Sequence, residues 1–143
     1  MRELIYSTKV TNVEQIHLGP GLLLLSEDWA LAELVRELIQ HPWKLFLQRP
    51  VKFLSDSLST QPRVRLMILD DQTVEENDRN PLLTRLREDF PDVSLLYVAA
   101  SQNEQNERRA RTNGAHYYFS KPLAPQRFVP VLRSFLSTQQ CKG

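Results

Sequence analysis

Five short apolar runs alternate with amphipathic segments along this chain, and that alternation restricts its fold more than any other feature. Leu22-Leu23-Leu24-Leu25 follows Gly21 and ends in Ser26-Glu27-Asp28. Glycine and proline before it and acids after it favour a buried strand over a piece of helix. Trp43 to Leu47 reads as a second strand, and Val64 to Leu69, ending in Asp70-Asp71, as a third. Val93 to Ala100 supplies a fourth and Tyr117-Tyr118-Phe119 a fifth, closed by Ser120-Lys121-Pro122.

The intervening segments carry helical spacing. Leu31, Leu34, Val35, Leu38 and Ile39 fall on one face of a helix from Trp29 to Gln40, stopped by His41-Pro42. Trp29 is expected to pack at its start. Pro50 suits the first turn of a second helix, with Val51, Leu54 and Leu58 as its stripe. A polar loop is expected from Gln72 to Asn80. Asn80-Pro81 then opens a helix, with Leu82, Leu83, Leu86 and Phe90 on one side. Gln102 to Asn113 has helical length but hardly any apolar residue; it is expected to be mobile or to dock on an acidic partner. Gly114 suits its stop. Gln126 to Ser137 closes the chain as a helix.

Strand and helix alternating at this spacing imply right-handed crossovers and a parallel sheet covered on both faces. Continuous apolar strands fit such double burial. The fold class is therefore α/β: a doubly wound, five-stranded parallel sheet. Residues 1–20 form an N-terminal extension in which Leu4-Ile5-Tyr6 is an added edge strand or a tail. Residues 21–137 form the domain, and 138–143 a C-terminal tail.

Composition removes several function classes. The chain has 143 residues, one domain's worth. Its formal net charge of +1 lacks the basic excess of a general nucleic-acid binder. The single cysteine, Cys141, excludes a disulfide framework or multi-cysteine zinc site within one chain. No apolar run is long enough to span a membrane, and Met1-Arg2-Glu3 opens no hydrophobic leader, so a cytoplasmic location is expected. Four glycines against nine prolines leave neither a Walker A nor a GxGxxG loop.

Ligands of an open parallel sheet bind beyond the carboxyl ends of its strands. Ser26, Glu27 and Asp28, Asp70 and Asp71, Ala99 to Ser101, and Ser120 and Lys121 all fall there. Two carboxylates can hold a hard cation such as Mg²⁺, and a lysine opposite can neutralise a phosphoryl group. An aspartate in that setting can attack phosphorus.

These residues resemble the receiver domain of two-component response regulators, the CheY-like superfamily. Leu22 to Asp28 is similar to its first strand and acidic pair, and Leu66 to Asp70 to its third strand. Asn113-Gly114-Ala115 with Tyr117 to Pro122 is similar to its Gly-Ala, aromatic and Lys-Pro signature. The resemblance covers residues 21–137 and implies a flavodoxin-like (βα)5 fold. It implies that Asp70 is the phospho-acceptor and that Glu27, Asp70 and the Gln72 carbonyl hold Mg²⁺. It makes Lys121 the phosphate-contacting residue, with a peptide bond to Pro122 often cis in the family. Ala99 and Tyr118 take the switch positions. Arg108, Arg109 and Arg111 make a solvated face or, because the family's fourth helix, fifth strand and fifth helix commonly make dimers or effector contacts, an interaction surface.

Three departures accompany the match. Ser26 stands where the family has its first acidic residue, although a one-residue shift would make Glu27-Asp28 the pair. Ala99 stands where a Thr or Ser contacts the phosphoryl oxygen. Glu75, Glu76 and Asp78 replace the usual proline and glycine of the following loop.

Three functions follow. A phosphorylatable receiver would take its phosphoryl group from a histidine kinase or phosphotransfer protein and act on an effector protein or form a homodimer. A pseudo-receiver would keep the fold as a phosphorylation-independent interaction module. An unrelated flavodoxin-like enzyme or nucleotide binder is disfavoured by the missing glycine loop and the absence of any Ser-His or Cys-His pair near a strand end. The chain is accordingly expected not to be an enzyme, and to bind neither membrane nor nucleic acid directly; three arginines without interleaved aromatics make no stacking platform.

Overall fold

Each apolar run becomes a strand whose alternate residues enter different cores. The computed structural model describes residues 5–6, 19–49 and 63–142, with side chains described over 19–49 and 63–137. In chain order, β1 is Ile5–Tyr6, β2 Gly21–Leu25, α1 Trp29–Leu38, β3 Lys44–Gln48 and β4 Val64–Asp70. A 3-10 turn at Asp71–Thr73 follows, then α2 Glu76–Asp89, β5 Ser94–Ala99, α3 Glu104–Thr112, β6 Tyr117–Ser120 and α4 Pro125–Lys142. The helix expected around Val51, Leu54 and Leu58 lies outside the described residues.

The strands form one parallel sheet in the order β1-β3-β2-β4-β5-β6. The last five follow the doubly wound order expected of this fold, and the sheet changes winding direction between β2 and β4. Ile5–Tyr6 adds a sixth strand to the edge beside β3.

Alternation along the strands separates two apolar layers. Leu23, Leu25, Met67, Leu69, Leu95 and Tyr97 pack with Leu82, Leu83 and Leu86 of α2 and Ala110 of α3. Leu22, Leu24, Leu66, Ile68, Leu96 and Val98 pack with Leu31 and Val35 of α1 and with Phe128 and Leu132 of α4. Trp43 joins the second layer and donates its indole N–H to the Leu136 carbonyl at 3.2 Å.

Three local expectations are corrected. Helix α2 begins at Glu76 rather than at Asn80-Pro81, with Pro81 inside it. Pro81 removes a donor from the helix, but it and Asn77 are exposed, so water can satisfy the Asn77 carbonyl. Helix α4 runs to Lys142, five residues past the expected stop at Ser137, because no proline or glycine interrupts that stretch. Trp29 opens α1 but is 61% exposed rather than packed: Leu31, Ala32 and Val35 form the buried side of the helix.

Candidate functional site at the strand ends

Strands β2, β4 and β6 deliver a serine, an aspartate and a lysine to the same end of the sheet. Asp70 is the last residue of β4 and only 1% exposed. Its Oδ2 accepts from the Ser26 hydroxyl at 2.7 Å and from the Lys121 ammonium at 2.9 Å. Its Oδ1 accepts from the Gln72 amide N–H at 3.1 Å, which caps the 3-10 turn. Ser26 also receives the Asp28 N–H at 2.9 Å, so one hydroxyl joins the end of β2 to both acids.

Lys121 is the hub of this cluster. Its Nζ donates to Asp70 Oδ2, to Gln72 Oε1 at 2.6 Å and to Asp28 Oδ2 at 2.8 Å. An ammonium has three protons, and each has an acceptor here. Burial alone would pull the lysine pKa down, but the bonds to Asp28 and Asp70 outweigh it and the net shift is upward. The Lys121 hydrogen bond, opposed by partial burial and helped by the Leu31 and Ala30 amides, holds the Asp28 carboxyl below its ordinary value. Asp28 is also the N-cap of α1: Oδ1 accepts from Ala30 at 2.9 Å and Leu31 at 3.3 Å. The Lys121-Pro122 peptide bond is cis, as is His41-Pro42.

Of the residues expected to hold a cation, Asp70 and Gln72 meet at Lys121, whereas the Glu27 carboxylate lies 3.5 Å from Arg49 Nε. Asp28, one residue on, takes the acidic place beside Lys121. The donor set does not fit a divalent cation in this arrangement. Ser26 brings a hydroxyl proton rather than a carboxylate, and an ammonium already spans Asp28 and Asp70. Among the described residues no three His, Cys, Asp or Glu side chains are grouped to hold a metal ion.

A second cluster lies on Asp71, which sequence reasoning left without a role. Asp71 is 1% exposed. Its carboxylate accepts from the Tyr97 hydroxyl at 2.6 Å, the Ala100 N–H at 2.9 Å and Asn106 Nδ2 at 3.3 Å. Arg79 Nε stands 3.5 Å away, and the same guanidinium binds the Val74 and Asp71 carbonyls. Asn106 gives its second amide proton to the Tyr118 hydroxyl at 3.1 Å. Tyr118 is buried and stacks on Tyr97, with centroids 5.5 Å apart and planes within 9°. Desolvation, and for Tyr97 the Asp71 bond as well, raises both phenol pKa values, so both rings stay neutral. Ala99 is fully buried and offers no hydroxyl.

The readable signal for this cluster was Tyr97. A tyrosine inside an otherwise aliphatic strand needs a hydrogen-bond partner once buried. Beside it opens a cleft of about 130 Å³, lined by Asp71, Arg79, Asn103, Asn106 and Arg109 among others. Arg108 and Arg111 are exposed on α3; Arg111 pairs with Glu107 at 3.0 Å. Helix α3 bonds through Asn106 to Asp71 and Tyr118 and buries Ala110.

No protein-family model matches the chain, and no curated protein matches it significantly. Solved structures do. A response regulator from Thermotoga maritima superposes with a TM-score of 0.66 at 18% identity, covering 84% of this chain and 99% of that one. The signal receiver domain of an HD domain-containing protein from Pseudomonas fluorescens Pf-5 gives 0.66 at 22% identity, covering 86% and 98%. A phosphorylated cyanobacterial phytochrome response regulator gives 0.64 at 13% identity, covering 87% and 96%. The chain has the fold of response-regulator receiver domains.

Proposed function

We propose that this receiver-fold chain is a phosphorylation-independent signalling module, a pseudo-receiver that acts through protein contacts. The observation that carries the reading is the closure of the acceptor site on itself. Lys121 spends all three protons on Asp28, Asp70 and Gln72, and the Ser26 hydroxyl also donates to Asp70 Oδ2. A phosphoryl donor would have to break these bonds without help from a cation, whose usual role is to screen charge between carboxylate and phosphate. Ala99 adds that an incoming phosphoryl oxygen would find no side-chain hydroxyl there.

The surface offered to partners is α3 with β6 and α4. Arg108 and Arg111 are exposed and Arg109 lines the cleft, which suits an acidic effector surface.

One observation favours a second reading, in which Asp70 accepts a phosphoryl group from a histidine kinase or phosphotransfer protein with Mg²⁺ assisting. An aspartate ends β4 and a lysine follows the end of β6, the acceptor and phosphate-contacting positions of the receiver pattern. Incubation with acetyl phosphate and Mg²⁺, followed by intact mass, separates the two. The pseudo-receiver gives no adduct under conditions that label an ordinary receiver. A phosphoryl mass that vanishes in Asp70→Ala establishes the second reading.

A further inference from the structure

Asp71 joins elements that no other polar side chain described here brings together. It belongs to the turn after β4, Tyr97 to β5, Ala100 to the β5–α3 loop, Asn106 to α3 and Arg79 to α2. The connection continues through Asn106 to Tyr118 on β6. All of this is built without Asp70, whose own bonds go to Ser26, Gln72 and Lys121.

From this geometry we infer that Asp71, not Asp70, is the positioning residue for the α3–β6 face, fastening the β5–α3 loop, α3 and the Tyr118 ring in one fixed arrangement. The mechanism follows from hydrogen-bond inventory. A residue-99 hydroxyl could move between partners; with Ala99 there, the loop is held instead by its Ala100 N–H on a buried carboxylate. Asn106 has two amide protons, one on Asp71 and one on Tyr118, so the helix and the ring are held through one side chain. Stacking on Tyr97, itself bonded to Asp71, fixes the other side of the ring. Removing the carboxylate leaves the buried Tyr97 hydroxyl without this partner, which is costly, and releases the Ala100 N–H of the exposed loop. The role of this face as the output surface rests on the function proposed above; the fastening itself does not.

Amide hydrogen exchange tests the inference on the full chain, without phosphate or partner, so its outcome is independent of the labelling experiment. Asn106→Ala alters a half-buried helix side chain and leaves the sheet core untouched. We expect the amides of Glu104–Thr112 to exchange at least tenfold faster in Asn106→Ala, with β2 and β4 unchanged. Asp71→Ala is expected to do the same or more, and Tyr118→Phe, which deletes one hydroxyl, to give a smaller rise confined to α3. Asp70→Asn is expected to leave α3 exchange as it is. Unchanged α3 exchange in Asn106→Ala overturns the inference. So does loosening spread over β2 and β4 in that variant, or an equal loss of α3 protection in Asp70→Asn.

Discussion

The Lys121 ammonium lies 2.8 Å from Asp28 Oδ2 while the other oxygen of the same carboxylate caps helix α1. One side chain therefore does two separable tasks. Asp28→Asn keeps an oxygen for the Ala30 and Leu31 amides but loses the charge facing Lys121. Asp28→Ala loses both. Urea unfolding is expected to show the alanine variant about 1 kcal/mol less stable than the asparagine variant, the usual magnitude of an N-cap. Equal stabilities would show that the cap contributes nothing.

The same pair sets a pH dependence. Asp28 is held below its usual value chiefly by the Lys121 hydrogen bond, so its contribution is present above the unfolded carboxyl pKa, about 3.9, and lost as pH falls through the lower folded value. Lys121 is raised, because its bonds to Asp28 and Asp70 outweigh burial. Its contribution is present below about 10.4 and lost as pH rises through the higher folded value. The stability gap between the parent chain and Asp28→Asn is expected to be flat between roughly pH 5 and 9 and to shrink at both ends. A gap that grows toward acid would contradict this assignment.

Ser26 is where a carboxylate would change the chemistry most. Ser26→Asp would set a second negative oxygen against Asp70 Oδ2, now 2.7 Å from the serine hydroxyl. Without Mg²⁺ the variant is expected to melt below the parent, because like charges that close repel. Millimolar Mg²⁺ is expected to restore it, by about 1.4 kcal/mol at tenfold excess over Kd. The parent Tm is expected not to move. Differential scanning fluorimetry with and without Mg²⁺ reads both.

Two large aromatics differ sharply in burial. Phe128 is fully buried and meets Phe119 edge-on at 5.1 Å. Phe128→Ala is expected to cost about 3–5 kcal/mol. Trp29→Ala, at a larger but 61% exposed aromatic, is expected to stay within about 0.5 kcal/mol. Chemical denaturation of both variants checks the pair.

The strands were legible because continuous apolar runs mark doubly buried sheet, and Asp70 and Lys121 were legible because strand ends are where such sheets carry polar side chains. Helix ends were less so. Asn80-Pro81 looks like a helix start, yet the helix begins one turn earlier, since an exposed proline near the N-terminal end costs little. Trp29 misled because size suggests burial, while its place in the turn, not its apolarity, decided its exposure. The choice between Glu27 and Asp28 depended on where β2 stops: it ends at Leu25, which leaves Asp28 to cap α1 and face Lys121. Asp71 was not legible from strand alternation, because its carboxylate finds partners on three elements distant in sequence.

If the acceptor site is closed as proposed and the α3–β6 face is fixed as inferred, that face does not respond to a phosphoryl group. The most direct test is the amide NMR spectrum during titration with beryllofluoride and Mg²⁺, a mimic of phosphoryl aspartate. The peaks of Glu104–Thr112 and Tyr118 are expected to stay in place at concentrations that saturate an ordinary receiver. Saturable shifts of those peaks that disappear in Asp70→Asn would contradict the claim.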